Sequence, residues 1–299
     1  MVSIVIPTRG RPHLLQRAIR SVLVQTYQDF EVVVVLDGVD AESAAAVEEF
    51  REPRLRLLTL PQRAGGAVAR NAGVAAARGR WIAFLDDDDE FRAEKLALQL
   101  QSALRSDSAE RTLTVCKAKV IENRITRVWP SRFPATGERL VEYLFCRNGL
   151  RQGEAFLQSS TFFVSRALAL RIPFRQDLKR HQDWDWIVQL EREAGVEIVA
   201  VPQVLTVYHR DDGPSVTRQI SWEQSVHWAK EVVLPESPRA YSFFIATQCV
   251  TLLDAKLCWK WRVLRRLFQE CFGSGKATLL STILFTYFWM RALYKSLGA

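Results

Sequence analysis

Trp81-Ile82-Ala83-Phe84-Leu85 runs directly into Asp86-Asp87-Asp88-Asp89. The apolar half reads as a strand buried on both faces. The acidic half is four like charges in a row, which repel one another unless something compensates them. A hard divalent cation does so, because Mg²⁺ takes one or two carboxylates together with substrate phosphates. The plainer alternative is a solvated loop that caps a helix beginning near Ala93. The position at a strand end favours the metal site.

The neighbouring segments show what sheet this strand joins. Ser3-Ile4-Val5-Ile6 is a β-branched run closed by Pro7, and Val32 to Leu36 is a continuous apolar run. Leu55 to Leu60 is a third strand. Between them lie helical patterns at 14–23, 41–51 and 67–77, the last stopped by Gly79. Alternation of this kind predicts an α/β fold with a mostly parallel sheet and helices on both faces. Ligands bind beyond the carboxyl ends of such strands. Thr8-Arg9, Asp37-Gly38 and Asp86 to Asp89 follow three separate strands, so they converge on one edge.

Farther on, the pattern predicts a helix over 93–104, a strand over 112–118 and an irregular loop or lid over 121–153. Strands over 158–164, 197–201 and 204–209 and a helix over 184–193 follow, and from Trp222 onward the chain reads as helical. At 48% hydrophobic and 25% charged the chain is globular, which excludes disorder and a polytopic membrane protein. The net charge is +8, but 255–299 alone carries +7, with Glu270 its only acid. A nearly neutral body argues against a nucleic-acid partner. The five cysteines form no CxxC, which suggests reduced thiols in a cytosolic protein rather than disulfides or zinc. With Val2 to Ile6 already a strand, no signal peptide is expected.

Three further clusters carry chemistry. Arg70 in Arg70-Asn71-Ala72-Gly73 can reach a phosphate with its fork of donors, or be an ordinary surface arginine. His181-Gln182-Asp183-Trp184-Asp185-Trp186 opens a helix, so Asp183 reads equally as an N-cap and as a base, and the tryptophans suit a sugar face. His209 closes a strand, where a histidine is either structural or a metal ligand.

On these residues the chain resembles the inverting family 2 glycosyltransferases of GT-A fold that act in bacterial surface polysaccharide synthesis. The likeness runs from Val2 to about Ser215. Val2 to Arg9 is similar to that family's first strand and nucleotide-contacting loop, and Ser21 to Tyr27 to its first helix end. Arg70-Asn71-Ala72-Gly73 is similar to its Arg-Asn-x-Gly element, and Phe84 to Asp89 to its Asp-x-Asp metal motif. Gln182-Asp183-Trp184-Asp185 is similar to its acidic base motif. Two positions depart: Leu36 stands where the second strand commonly ends in an acid, and Gln182 where Glu is usual.

The resemblance implies a catalytic domain over 1–217 and a basic, aromatic helical region over 218–299. It implies a nucleotide-sugar donor, UDP first with dTDP and GDP open, and a saccharide or lipid-linked acceptor. Pro7, Thr8, Arg9 and Asp37 are expected around the nucleoside, with Arg70, Asp86 and Asp87 also on the donor. Asp88 is expected to hold Mn²⁺ or Mg²⁺, joined by His209. Asp183 is expected to take the acceptor proton, with Trp184 and Asp185 on the acceptor. Ala277 to Met290 is apolar for fourteen residues, short of the roughly 20 that span a bilayer. It either lies in an interface or packs on the protein, and the basic tail favours peripheral attachment to the inner face of the cell membrane. Two other readings stand: a non-catalytic nucleotide-sugar-binding protein of the same fold, and a nucleotidyltransferase. The latter is disfavoured by a single glycine in Thr8-Arg9-Gly10-Arg11-Pro12.

Overall fold

A computed structural model describes residues 1–149, 153–193, 195–210, 221–253, 260–273 and 275–297. Nine strands form one sheet. They are β1 (Val2–Thr8), β2 (Phe30–Leu36), β3 (Leu55–Thr59), β4 (Trp81–Phe84), β5 (Glu90–Phe91), β6 (Thr112–Glu122), β7 (Ile125–Trp129), β8 (Phe162–Ser165) and β9 (Glu197–His209). The order is β3-β2-β1-β4-β8-β6-β9-β5, with β7 paired to β6.

The first four strands are parallel, as the apolar runs predict. Every residue of β1 and β2 is buried. The first three helices are α1 (Pro12–Leu23), α2 (Ala41–Glu48) and α3 (Gly66–Ala76). Ile4, Ile6, Val32 and Val34 share a core with Leu15, Ala18, Ile19 and Val22 of α1. The alternate residues Val5 and Val35 face α3, where Gly73 comes so close that an added Cβ would lie 2.4 Å from Val5 Cγ1. Strand alternation thus places one helix on each face of the sheet.

Beyond β4 the sheet is mixed. β8 enters antiparallel to β4, with Ala83 opposite Phe163. The start of β8 therefore lies beside the end of β4. The expected strand over 158–164 is really a 3₁₀ turn, Ser159–Thr161, capped by the Gln158 side chain and followed by β8. Hydroxyl and amide side chains that can bond the local backbone favour such a turn over a strand. The irregular stretch after Ile121 contains a two-residue hairpin through Asn123 and Arg124, both at positive φ. The two strands expected over 197–209 are one, and its register shifts opposite Cys116 to Ala118 accommodate Pro202 and Gln203.

The remaining helices are α4 (Lys95–Arg105), α5 (Leu140–Phe145), α6 (Arg166–Arg171), α7 (Gln182–Arg192), α8 (Trp222–Val232), α9 (Pro238–Phe244), α10 (Trp261–Gly273) and α11 (Leu279–Leu297). The chain divides into two compact units, Met1–Phe133 with Phe156–Ser215, and Pro134–Ala155 with Val216–Ala299. Residues 134–155, which the sequence reading places in the first domain, cluster with the second unit. There Phe145 of α5 packs edge-on against Trp228 and Phe244. The expected boundary at 217/218 lies outside the described residues. Cys116, Cys146, Cys249 and Cys271 form no disulfide among the described residues, and none of the described helices is long and apolar enough to cross a membrane.

Candidate active site

Parallel pairing brings the carboxyl ends of β1, β2 and β4 to one edge. Thr8 pairs with Leu36, and the backbone bond from Leu85 N to Val5 O continues β4 past its last ladder residue. The four aspartates leave this edge in alternation. Asp87 and Asp89 are buried, while Asp86 and Asp88 are partly exposed. Beneath, Asp87 accepts from Thr8 Oγ1 at 2.6 Å and from Arg11, whose Nη1 also donates to Asp88 Oδ2 at 2.7 Å. Burial pushes the Asp87 carboxyl up to about 7 against the opposing pull of Arg11.

Above, Asp86 accepts from Arg70 Nη2 at 2.5 Å and from Gln158 Nε2 at 2.7 Å. Gln158 also reaches Asp89 at 3.2 Å, and Ser160 Oγ donates to Asp89 at 2.6 Å. One carboxylate oxygen each from Asp86, Asp88 and Asp89 lies within 4.8 Å of the others. Burial raises both Asp88 and Asp89, and their acidic neighbours raise them further. Hard oxygen donors with surplus negative charge suit a divalent cation of the Mg²⁺ or Mn²⁺ kind.

The Arg70-Asn71-Ala72-Gly73 element divides its work. Arg70 is buried and turns to the site, where it also donates to Ser159 Oγ at 3.1 Å and Gln182 Oε1 at 2.9 Å. Asn71 exchanges two hydrogen bonds with the Phe174 backbone. Gly73 lets α3 approach the sheet. The carboxylate of Asp37 accepts from the N–H groups of Ala64 and Gly65, which sets the loop entering α3.

Asp183 does not cap α7. The N-cap is His181, in the left-handed region at φ 63°, and Asp183 sits inside the first turn. Its carboxylate accepts instead from Ser159 N at 3.2 Å. Burial pushes it up to about 6, with Asp86 raising it and Arg70 holding it down. That value suits a group that must accept a proton near neutrality.

The expected residues therefore part company. Arg70, Asp86, Asp88 and Asp183 come together, with Thr8 and Asp87 as a buried layer below. Pro7 is buried at the end of β1, and Arg9 is exposed beside Asp40. Trp184 stacks on His181 at 5.1 Å. Asp185 is buried, with Gln189 at 2.6 Å and Arg175 at 3.5 Å. His209 is joined to the group of Asp86, Asp88 and Asp89 through its backbone. The His209 ring instead meets Glu90 at 2.8 Å, while its N–H supports Asp89. Leu36 is a core residue, and the Gln182 amide is occupied by Arg70 and Leu178. Gln158, Ser159, Ser160 and Arg11 were missed. Only Arg11, beside Thr8 and Arg9 after the first strand, carried any signal.

Residues 3–172 match the family described as glycosyl transferase family 2. Among relatives, the amylovoran biosynthesis glycosyltransferase AmsB of Erwinia amylovora is 29% identical over 234 residues, covering 74% of this chain and 75% of its own. The Escherichia coli UDP-Glc:alpha-D-GlcNAc-diphosphoundecaprenol beta-1,3-glucosyltransferase WfgD is 39% identical over 107 residues, 36% of this chain and 42% of its own. The chain thus spans under half of that second relative. Among solved structures, S. aureus TarS 1-349 in complex with UDP-GlcNAc superposes with a TM-score of 0.62 at 18% identity, over 98% of this chain and 81% of that one. That likeness is one of fold.

Proposed function

This chain belongs to glycosyl transferase family 2, and we propose that it moves a sugar from a UDP-sugar to a hydroxyl of a lipid-linked saccharide by a single inverting displacement. The observation that carries the reading is Asp183, raised to about 6 and held by Ser159 in the cluster that contains Arg70 and Asp86. Asp183 takes the proton of the attacking hydroxyl. General-base help of this kind is worth about 10²–10⁴-fold. Arg70, with Asp86 and Gln182 fixing its fork, binds the diphosphate as it leaves. Asp88, with Asp86 and Asp89, would hold the divalent cation. Bound there, that cation supplies charge neutralisation to the leaving diphosphate. Trp184 offers an aromatic face to the acceptor sugar, and Pro7, Thr8, Arg9 and Asp37 border the nucleoside.

UDP as the nucleotide is supported by the names of WfgD and of the TarS complex, and a lipid-linked acceptor by the name of WfgD. The role of AmsB in amylovoran biosynthesis supports a place in surface polysaccharide synthesis. In this reading 1–217 is the catalytic domain. The region 218–299 attaches peripherally to the inner face of the cell membrane, where a lipid-linked acceptor is found.

The test is thermal unfolding with UDP, GDP and dTDP, each with and without Mn²⁺. UDP with Mn²⁺ is expected to stabilise the protein, by about 2.7 kcal/mol at a hundredfold excess over Kd. If no nucleotide shifts the transition, the non-catalytic reading takes its place.

A further inference from the structure

α11 packs by one side. Ser281, Leu284, Phe285 and Phe288 are buried, and Phe285 meets Phe268 and Phe272 of α10 with both ring centroids at 6.1 Å. The opposite side is apolar as well. Leu279, Ile283, Tyr287, Met290 and Tyr294 are between 44% and 80% exposed. Their spacing of four, four, three and four puts them in one stripe, less than about 100° wide at 3.6 residues per turn. Isolated exposed apolar residues are ordinary, but a continuous stripe marks a binding surface. Arg291 is also exposed, and no Asp or Glu follows Glu270.

The outer face of α10 mixes the same two characters. Trp261 and Phe268 are exposed beside exposed Arg262 and Arg265. Neither of these arginines has an ion pair among the described residues. Glu270, the one acid of α10, is taken by Lys230 at 2.7 Å and Tyr241 at 2.8 Å.

We propose that the outer stripe of α11, with Trp261, Arg262, Arg265 and Phe268 of α10, is a contact surface for a bilayer rich in anionic phospholipid. The proposal deepens the peripheral attachment given above and rests on it. Charge decides between a bilayer and a second copy of the chain. Residues 255–299 carry +7, so two such faces repel, whereas an anionic leaflet attracts them and receives the apolar stripe. At 19 residues α11 is about 28 Å long, which suits a helix lying flat in the headgroup boundary. Tyr287, Tyr294 and Trp261 have the apolar body and polar tip that favour that depth.

The experiment is co-sedimentation of the full chain with vesicles of phosphatidylcholine alone or mixed with phosphatidylglycerol. The wild type is expected to sediment with the mixed vesicles and to be partly released by salt. Ile283→Glu with Met290→Glu is expected to lower partitioning about tenfold or more. Arg262→Glu with Arg265→Glu is expected to remove the preference for phosphatidylglycerol. UDP-induced thermal stabilisation is measured on each variant, to show that the fold and donor site are intact. If the wild type binds and the Ile283→Glu/Met290→Glu variant binds equally, attachment stands and this face is overturned. If the wild type stays in the supernatant, both fall. A wild-type dimer that the same variant turns into a monomer, without vesicle binding, assigns the stripe to a second copy and overturns the proposal. None of these outcomes bears on sugar transfer, which the nucleotide titration tests separately.

Discussion

Ser159 donates its backbone N–H to the Asp183 carboxylate at 3.2 Å and its hydroxyl to Asp86 at 3.1 Å. One residue of a short turn thus fixes the distance between the proposed base and the acidic cluster. Arg70 adds to the same hydroxyl at 3.1 Å, so the proposed base, the cation proposed for the diphosphate and the carboxylate proposed for the metal share one anchor. The backbone link survives any substitution but proline, whereas the links to Asp86 and Arg70 need the hydroxyl.

Asp183→Asn is expected to lower transfer by about 10²–10⁴-fold while leaving the UDP-dependent thermal shift in place. Radiolabelled sugar transfer and the unfolding assay check the two halves. Loss of both would mean that Asp183 is structural.

The pH profile follows from the raised carboxyl. Burial pushes Asp183 up to about 6 in the free protein, so the proton-accepting form is present above that pH and kcat/KM is expected to fall as pH drops through about 6. The sign for stability is opposite. A carboxyl whose folded value lies above its usual range binds more protons folded than unfolded, so its contribution to stability grows as pH falls through 6. A kcat/KM profile that stays flat from pH 8 to pH 5 would exclude Asp183 as the base.

Gln158→Ala removes the amide that holds Asp86 and Asp89. A partner behind metal ligands is typically worth about 10–100-fold in metal affinity. Titration of Mn²⁺ into UDP-saturated protein is expected to show that loss, with maximal activity recovered at high Mn²⁺.

Arg11→Ala leaves Asp87 buried without its cation. Breaking such a pair from one side costs about 3–5 kcal/mol when both groups are buried. Arg11 is partly exposed, so the lower end is expected. Adding Asp87→Asn is expected to restore most of the unfolding temperature, because the pair matters through the unpaired charge.

Gly73→Ala is expected to destabilise the protein by about 1–3 kcal/mol or more. Its Cβ would meet Val5 Cγ1 at 2.4 Å and Val35 Cγ2 at 3.1 Å, and α3, which carries Arg70, would have to shift. Chemical denaturation checks the stability. A matching rise in the UDP concentration needed for half-saturation checks the displacement of Arg70.

The parallel core was legible in the chain because burial on both faces of a strand leaves a local mark. Ile4, Val33 and Phe84 sit in apolar runs that only a two-sided strand explains, and polar residues at their ends had to gather at one edge. Asp86 and Asp88 were readable for that reason, whereas Arg70, inside α3, was singled out by the family resemblance. The limits were equally physical. Gln158 to Thr161 reads as the start of a strand, and its turn reaches Asp86 only because β8 runs antiparallel beside β4. Asp185 and Asp183 are two residues apart on one helix, so no spacing separates the buried ion-paired carboxylate from the one at the site. His209 stands at a strand end like the others, yet the antiparallel pairing of β5 with β9 delivers Glu90 to it. Periodicity and strand-end chemistry are properties of neighbours along the chain, so they can be read before any fold is known. Which distant side chains share a carboxylate depends on strand order and direction, which exist only once the chain has folded.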